Sequence, residues 1–337
     1  MERSDNGKAT GSSPKKGRLV TRRRVLIASG SVLGAAAVGA GGYLARAYQL
    51  HYFREPEEEI SDHRIRLPAT APRMVIARGS RPARNVRAAL EHMGTMGRFI
   101  SGDDVVVIKP NIGWDRSTEQ AANTHPEVVA EVVRACREVG PKRVIVCDCP
   151  VRDSERAFEL SGIRDAALEA GAEVLPPERS RFLPVKISDR LGTWDILEPF
   201  VLATKLINVP VAKHHSLTGV VAGMKNWIGI TNKKRVMFHG DIQRSIAELA
   251  ALMRPTLTVM DATLVLMAGG PAGGNPNDVK PINTVAAGVD PVALDAWAYA
   301  LFDTPSAELP GSLLLAEKMG LGLSDFRSLD PVEIQTG

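Results

Sequence analysis

From Met74 to about Phe326 the chain repeats one pattern, a short Val/Ile-rich apolar run followed by a longer stretch with helical spacing. The runs are Met74–Ala77, Val105–Ile108, Val144–Cys147, Leu206–Val209, Leu257–Met260 and Thr284–Gly288. The helical stretches are Ala83–Arg98, Pro126–Val139, Ile163–Ala170, Leu217–Ile228, Ile242–Leu252 and Pro291–Phe302. Strands that are apolar throughout, rather than on alternate residues, must be covered on both faces, and helices between them make the crossovers that parallel strands need. The expected fold is therefore α/β: a mostly parallel, doubly wound, Rossmann-like sheet with helices on both faces. The prolines of residues 175–200 (Pro176, Pro177, Pro184, Pro199) mark where two lobes would part, although nothing there compels a linker.

In an open parallel sheet, ligands bind beyond the carboxyl ends of the strands. Five of the apolar runs lead into unusual polar clusters. They are Lys109-Pro110-Asn111, Cys147-Asp148-Cys149, Asn208 followed by Lys213-His214-His215, Asp261-Ala262-Thr263 ahead of a glycine-rich loop at Gly269–Gly274, and Asp290-Pro291. Five clusters at one edge predict a single site. Several have a plainer duty available. Thr124-His125-Pro126-Glu127 is a capping-box pattern in which Thr124 caps and Glu127 reaches back, leaving His125 free to face the site. Asp290-Pro291 is equally a helix start. Asp261 is expected at a strand end, placed for a lysine or a metal.

The segment from Lys213 to Asn226 is the least ordinary. As a helix it puts Thr218 and Lys225, seven residues apart, on one face among Val220, Val221, Met224 and Trp227. An ammonium in such surroundings needs an acidic partner or an anionic ligand. His239 begins the next helix, so His125, His214, His215 and His239 all fall in these clusters.

Two chemistries fit. In one, Lys109, Lys213 and Lys225 hold a carboxylate or phosphate, with Asn111, Thr124, His125, Asn208, Thr218, Asn226, Gly270 and Asp290 around it, while His215, His239 and Asp261 move protons. In the other, His214 or His215 joins His239 and a carboxylate such as Asp148 to bind a divalent metal. No His-Glu-x-x-His, Walker or Gly-x-Gly-x-x-Gly pattern decides between them. With three cysteines, an iron–sulfur cluster held by this chain alone is not expected, since a cysteine-only site needs four ligands.

Charge separates the N-terminal segment from the rest. The chain carries a net +4, yet residues 1–47 hold nine Lys/Arg against Glu2 and Asp5, a net of +7 that leaves the remainder at −3. A slightly acidic body gives no electrostatic case for nucleic acid. Thr21-Arg22-Arg23-Arg24-Val25-Leu26-Ile27, the uncharged Gly/Ala-rich run to Leu44 and Ala45-Arg46-Ala47 read as a twin-arginine signal with a cleavage site. The expectation is export by the twin-arginine translocase to the periplasm or the outer membrane face, with residues 48–72 as a linker and 73–330 as the α/β domain. The apolar run is also long enough for an uncleaved membrane anchor.

At these residues the chain resembles the domain of unknown function 362 family. The likeness rests on Lys109-Pro110-Asn111, on Thr124 to Glu127, on Asn208 to His215 and on Lys225-Asn226-Trp227-Ile228-Gly229. A Gly-Pro-x-Gly loop (Gly270 to Gly273) and an Asp-Pro-x-Ala-x-Asp helix (Asp290 to Asp295) complete it, over roughly residues 74–325. Many relatives append a ferredoxin-like iron–sulfur module, whose cysteines are not expected here. The resemblance implies the fold and the ligand edge. The leading expectation is an exported enzyme acting on a small anionic substrate. Its rivals are a non-enzymatic metal or cofactor carrier serving a redox pathway, and a subunit anchored to a membrane complex.

Overall fold

The computed structural model describes residues 58–302 and 309–337, so the twin-arginine segment and its apolar run lie outside the described residues. The chain first forms β1 (Met74–Arg78), α1 (Pro82–His92), β2 (Val105–Pro110), α2 (Pro126–Val139) and β3 (Arg143–Val146). Next come α3 (Ser154–Leu160), α4 (Ile163–Glu169), β4 (Glu173–Val174), β5 (Phe182–Ser188), β6 (Gly192–Leu197) and α5 (Glu198–Leu202). Then follow β7 (Lys205–Val209), β8 (Val211–His215), β9 (Gly219–Val221), α6 (Gly223–Asn226) and α7 (Ile242–Met253). Last are β10 (Leu257–Leu266), β11 (Val279–Gly288), α8 (Pro291–Tyr299), α9 (Gly311–Lys318) and β12 (Val332–Gln335).

The main sheet runs β12-β1-β11-β10-β7-β2-β3-β4, with β8 beside β10 and β9 on β8. Alternate strand residues feed two cores, as period-2 side chains must. Val106, Ile108, Val144, Val146, Ile207 and Val209 pack with α1, α2 and α4 on one face. Val107, Ile145 and Leu206 pack with α7, α8, α9 and the β5–β6 hairpin on the other. Helices thus cover both faces of a mostly parallel sheet, as the apolar strands require.

Four expectations change. The stretch Leu217–Ile228 is not one helix. Gly219 takes a left-handed φ of 72°, and β-branched Val220 and Val221 pair back against Lys213 and His214. Helix begins only at Gly223, so Thr218 and Lys225 do not share a helix face. Second, β10 continues to Leu266 because Ala262, Val265 and Leu266 carry on the buried pattern; Asp261 is therefore mid-strand. Third, β11 follows β10 as a hairpin with only a single 3-10 turn (Pro276–Asp278) and no α-helix between them, and such a return is antiparallel. Its polar end, Asp290, consequently lies at the opposite edge from the ends of β2, β3, β7 and β10, so four clusters meet rather than five. Fourth, the proline-bearing stretch forms the β5–β6 hairpin inside the same unit, where Trp194 stacks on Phe238 at 4.1 Å.

Residues 58–72, expected as linker, lie against the domain: His63 is buried, its Nδ1 3.0 Å from Thr204 O, and Thr256 Oγ1 donates to His63 O. Among the described residues no helix is long and apolar enough to cross a membrane.

Candidate functional site

Beyond the carboxyl ends of β2, β3 and β8, a cavity of about 450 Å³ opens between the loops. Its floor is made by neighbours in the sheet. Lys109 and Asn208 are cross-strand partners on β2 and β7. Lys109 Nζ donates to Asp148 Oδ1 at 2.7 Å, Pro110 O at 2.9 Å and Asn226 Oδ1 at 3.2 Å. Asp148 also accepts from Ile112 N at 2.6 Å and Cys149 N at 2.8 Å, which ties the loops after β2 and β3 together. Gly229 must be glycine for this packing, because a Cβ there would collide with Asp148 Oδ1 and crowd Lys109 Nζ.

A row of amides carries the floor across to β8. Asn226 Nδ2 donates to Asn208 Oδ1 at 2.8 Å, and Asn226 Oδ1 accepts from Asn111 Nδ2 at 2.9 Å. Asn111 Oδ1 then accepts from Lys213 Nζ at 3.0 Å, which also donates to Ala122 O. Both Lys109 and Lys213 are almost wholly buried, at 1% and 2% exposure.

Lys225, on α6, also faces the cavity, and among the described residues nothing hydrogen-bonds to it or pairs with its charge. Arg235 closes that side, donating to Cys149 O and Pro150 O, each at 2.8 Å. The cavity therefore faces three lysines and an arginine with Asp148 as its one carboxylate, and that carboxylate is taken by Lys109.

The titration of these groups follows. Burial, then the charge of Lys225, brings Lys213 down to about 7. Burial, then Arg235, brings Lys225 down to about 8. Burial also lowers Lys109, against the pull of Asp148. His215 is held down to about 3 by burial and then by Lys225 and Lys213. It is neutral, and because its Nδ1 accepts from Leu217 N at 3.1 Å, its proton sits on Nε2. His239, exposed at the rim, is lowered in the same way.

Of the residues the sequence pointed to, Lys109, Asn111, Asp148, Lys213, His215, Lys225, Asn226 and His239 line the cavity. The others brace it or lie elsewhere. Thr124 is not the cap of α2; its hydroxyl donates to Val209 O and accepts from Asn111 N. The cap is His125, whose Nδ1 accepts from Glu127 N at 3.2 Å. Asp261 is no cavity acid but a buried brace, accepting from His125 N, Thr263 N and Thr263 Oγ1. Asn208 holds Gly223 O and Asn226 from below. Thr218 donates to Val220 O within the β8–β9 turn.

Gly270 lets its loop cross β8, where a Cβ would collide with His214 O. Its N–H donates to His214 Nδ1 at 3.1 Å. His214 and Asp148 do not come together as metal ligands, and among the described residues no group of three or more His, Cys, Asp or Glu gathers to hold a metal. Asp290 caps α8 at the far edge, accepting from Val292 N and Ala293 N.

Sequence reading missed Arg235, Trp114 and the apolar rim. Trp114 was findable, four residues past the end of β2. Arg235 was hidden in the run Lys233-Lys234-Arg235, which resembles a solvated basic patch.

The domain of unknown function 362 family matches residues 106–300, more than half of the chain. The thylakoid-associated protein sll1697 of Synechocystis sp. is 26% identical over 246 residues, covering 70% of this chain and 74% of that protein. Two solved structures align at low similarity. The lactate racemase apoprotein from Thermoanaerobacterium thermosaccharolyticum has a TM-score of 0.39 at 13% identity, over 70% of this chain and 58% of that one. A Thermotoga maritima protein has a TM-score of 0.38 at 12% identity, over 72% and 60%. The chain thus spans less than two thirds of either solved chain.

Proposed function

The chain belongs to the domain of unknown function 362 family, and from that premise we propose that it binds a small anion, a carboxylate or a phosphate, in the cavity at the carboxyl edge. One observation carries the reading: Lys213, Lys225 and Arg235 converge on a cavity whose one carboxylate, Asp148, already has Lys109. Burial and then the neighbouring positive charge keep the Lys213 and Lys225 amines low, and an anion would offset that charge. Each charge-assisted hydrogen bond it accepted would contribute about 1.5–3 kcal/mol.

An enzymatic role on that anion has support of its own. Lys213 and Lys225 titrate near neutrality, where an amine can both give and take a proton. Neutral His215 can donate from Nε2 to a developing negative oxygen. A carrier would use the same contacts for binding alone, and the two part on whether a bound ligand recovered from the native protein is turned over. Export of the folded domain belongs to the same proposal and rests on Arg22 and Arg23. A chain carrying both Arg22→Lys and Arg23→Lys that still reaches the periplasm removes that part.

The test is calorimetric titration of the folded protein with inorganic phosphate, acetate and neutral glycerol. Phosphate or acetate should bind while glycerol does not, and Lys213→Ala and Lys225→Ala should each weaken binding at least about tenfold. Unchanged affinity in both variants overturns the assignment.

A further inference from the structure

The cavity is larger than an inorganic anion needs. At about 450 Å³ it falls in the range of roughly 300–1,000 Å³ typical of sites for whole organic ligands. Lys109 and Lys213 sit deep, while the mouth carries apolar side chains beside Ser216 and His239. Val151, Leu217 and Val236 line it, yet stand 50%, 59% and 66% exposed. Two of them follow an inward polar residue by one or two positions, Leu217 after His215 and Val236 after Arg235, and Val151 stands two residues past the buried Cys149. Three separate loops thus bring an aliphatic side chain to the rim, and two of them send a polar group inward beside it.

Two of these loops are fixed at the rim. Val151 N donates to Gly113 O at 3.0 Å, and Leu217 N donates to His215 Nδ1. Trp114 adds a flat wall, with the Arg152 guanidinium 5.7 Å above its ring. Apolar side chains held at a cavity mouth in water are unfavourable unless something apolar covers them.

We propose that the anion bound here is the head of an amphiphile, whose apolar body lies against Trp114, Val151, Leu217 and Val236. The proposal rests on the anion-binding reading and adds a substrate class to it: an organic phosphate or carboxylate with an aliphatic or aromatic body. A small hydrophilic anion would leave the rim bare. The head meets Lys213, Lys225 and Arg235, and the body leaves through the mouth.

Calorimetric titration at pH 7 with two matched pairs separates the outcomes: inorganic phosphate against hexyl phosphate, and acetate against octanoate. The larger member of at least one pair should bind at least about tenfold more tightly, as burial of several methylenes predicts. A folded variant carrying Leu217→Ser and Val236→Ser should bring that ratio towards one. Equal affinities within both pairs, or a ratio that survives in the variant, overturn the amphiphile and leave anion binding standing. Failure of all four probes to bind removes the anion reading itself, and the amphiphile with it.

Discussion

The two edges of the sheet treat buried charge in opposite ways. At the amino edge of β2, β7 and β10, polar groups are matched. Asp290 takes the N–H groups of Val292, Ala293 and Leu323 and lies 3.3 Å from Arg73. Asp104 takes Ser101 N, Ser101 Oγ and Thr204 Oγ1. His63 Nε2 is the exception, buried without a partner among the described residues. At the carboxyl edge the cations lining the cavity outnumber the carboxylates, and Lys225 has no partner among the described residues. Matched groups hold a fold together, whereas an excess of one sign costs stability and persists where a ligand supplies the other. The mismatch, more than the presence of lysines, separates a site from a polar sheet end.

The largest effect should come from removing the one match at the carboxyl edge. Asp148→Ala leaves Lys109 buried and unpaired, and denaturant unfolding should show a loss of about 3–5 kcal/mol. A loss below about 1 kcal/mol would mean that Lys109 reaches water or another acid. Lys225→Met tests the mismatch directly. Phosphate or acetate affinity should fall at least about tenfold while the free protein melts no lower than the parent, because a charge without a partner has been replaced by an apolar chain of similar length. A clear drop in melting temperature would show that Lys225 has a structural partner.

Asp290→Asn is the matched-edge control. Asparagine caps nearly as well as aspartate, so unfolding should change by no more than about 1 kcal/mol and anion affinity should not move. A further effect is in pH. Lys213 and Lys225 titrate at about 7 and about 8 in the folded chain, below their ordinary value of 10.5. Above those values the unfolded chain holds protons that the fold has released, so stability should rise from pH 7 towards pH 9, by a few °C in melting temperature. Bound anion raises both amines, so its affinity should fall over the same range. A flat melting profile in Lys225→Met would assign the rise to that amine alone.

The sheet and most helices were legible because burial on both faces leaves an unbroken apolar signature. Pro126–Val139 reads directly, with proline at the first turn and Gly140 beyond the end in a left-handed conformation. The direction of β11 was not legible, since it depends on whether a connection crosses over or turns back. The β8–β9 hairpin was hidden by Val220, Met224 and Trp227, whose spacing suits a helix until Gly219 turns the chain. Lysines in apolar context pointed to the floor of the cavity. The rim did not announce itself, because Val151, Leu217 and Val236 are isolated apolar residues in three loops, and only the fold brings them together.

The row of amides beneath the cavity has a consequence for how such a site could be altered. Asn111 must turn its oxygen to Lys213 and its nitrogen to Asn226, and Asn226 must turn its oxygen to Lys109. Each member dictates the orientation of the next, so a change at Asn111 takes a partner from two neighbours and a change at Asn226 from three. Lys225 stands outside this row. If the proposed anion binds here, it is the position where selection, or a designer, could exchange one ligand preference for another without first rebuilding the floor.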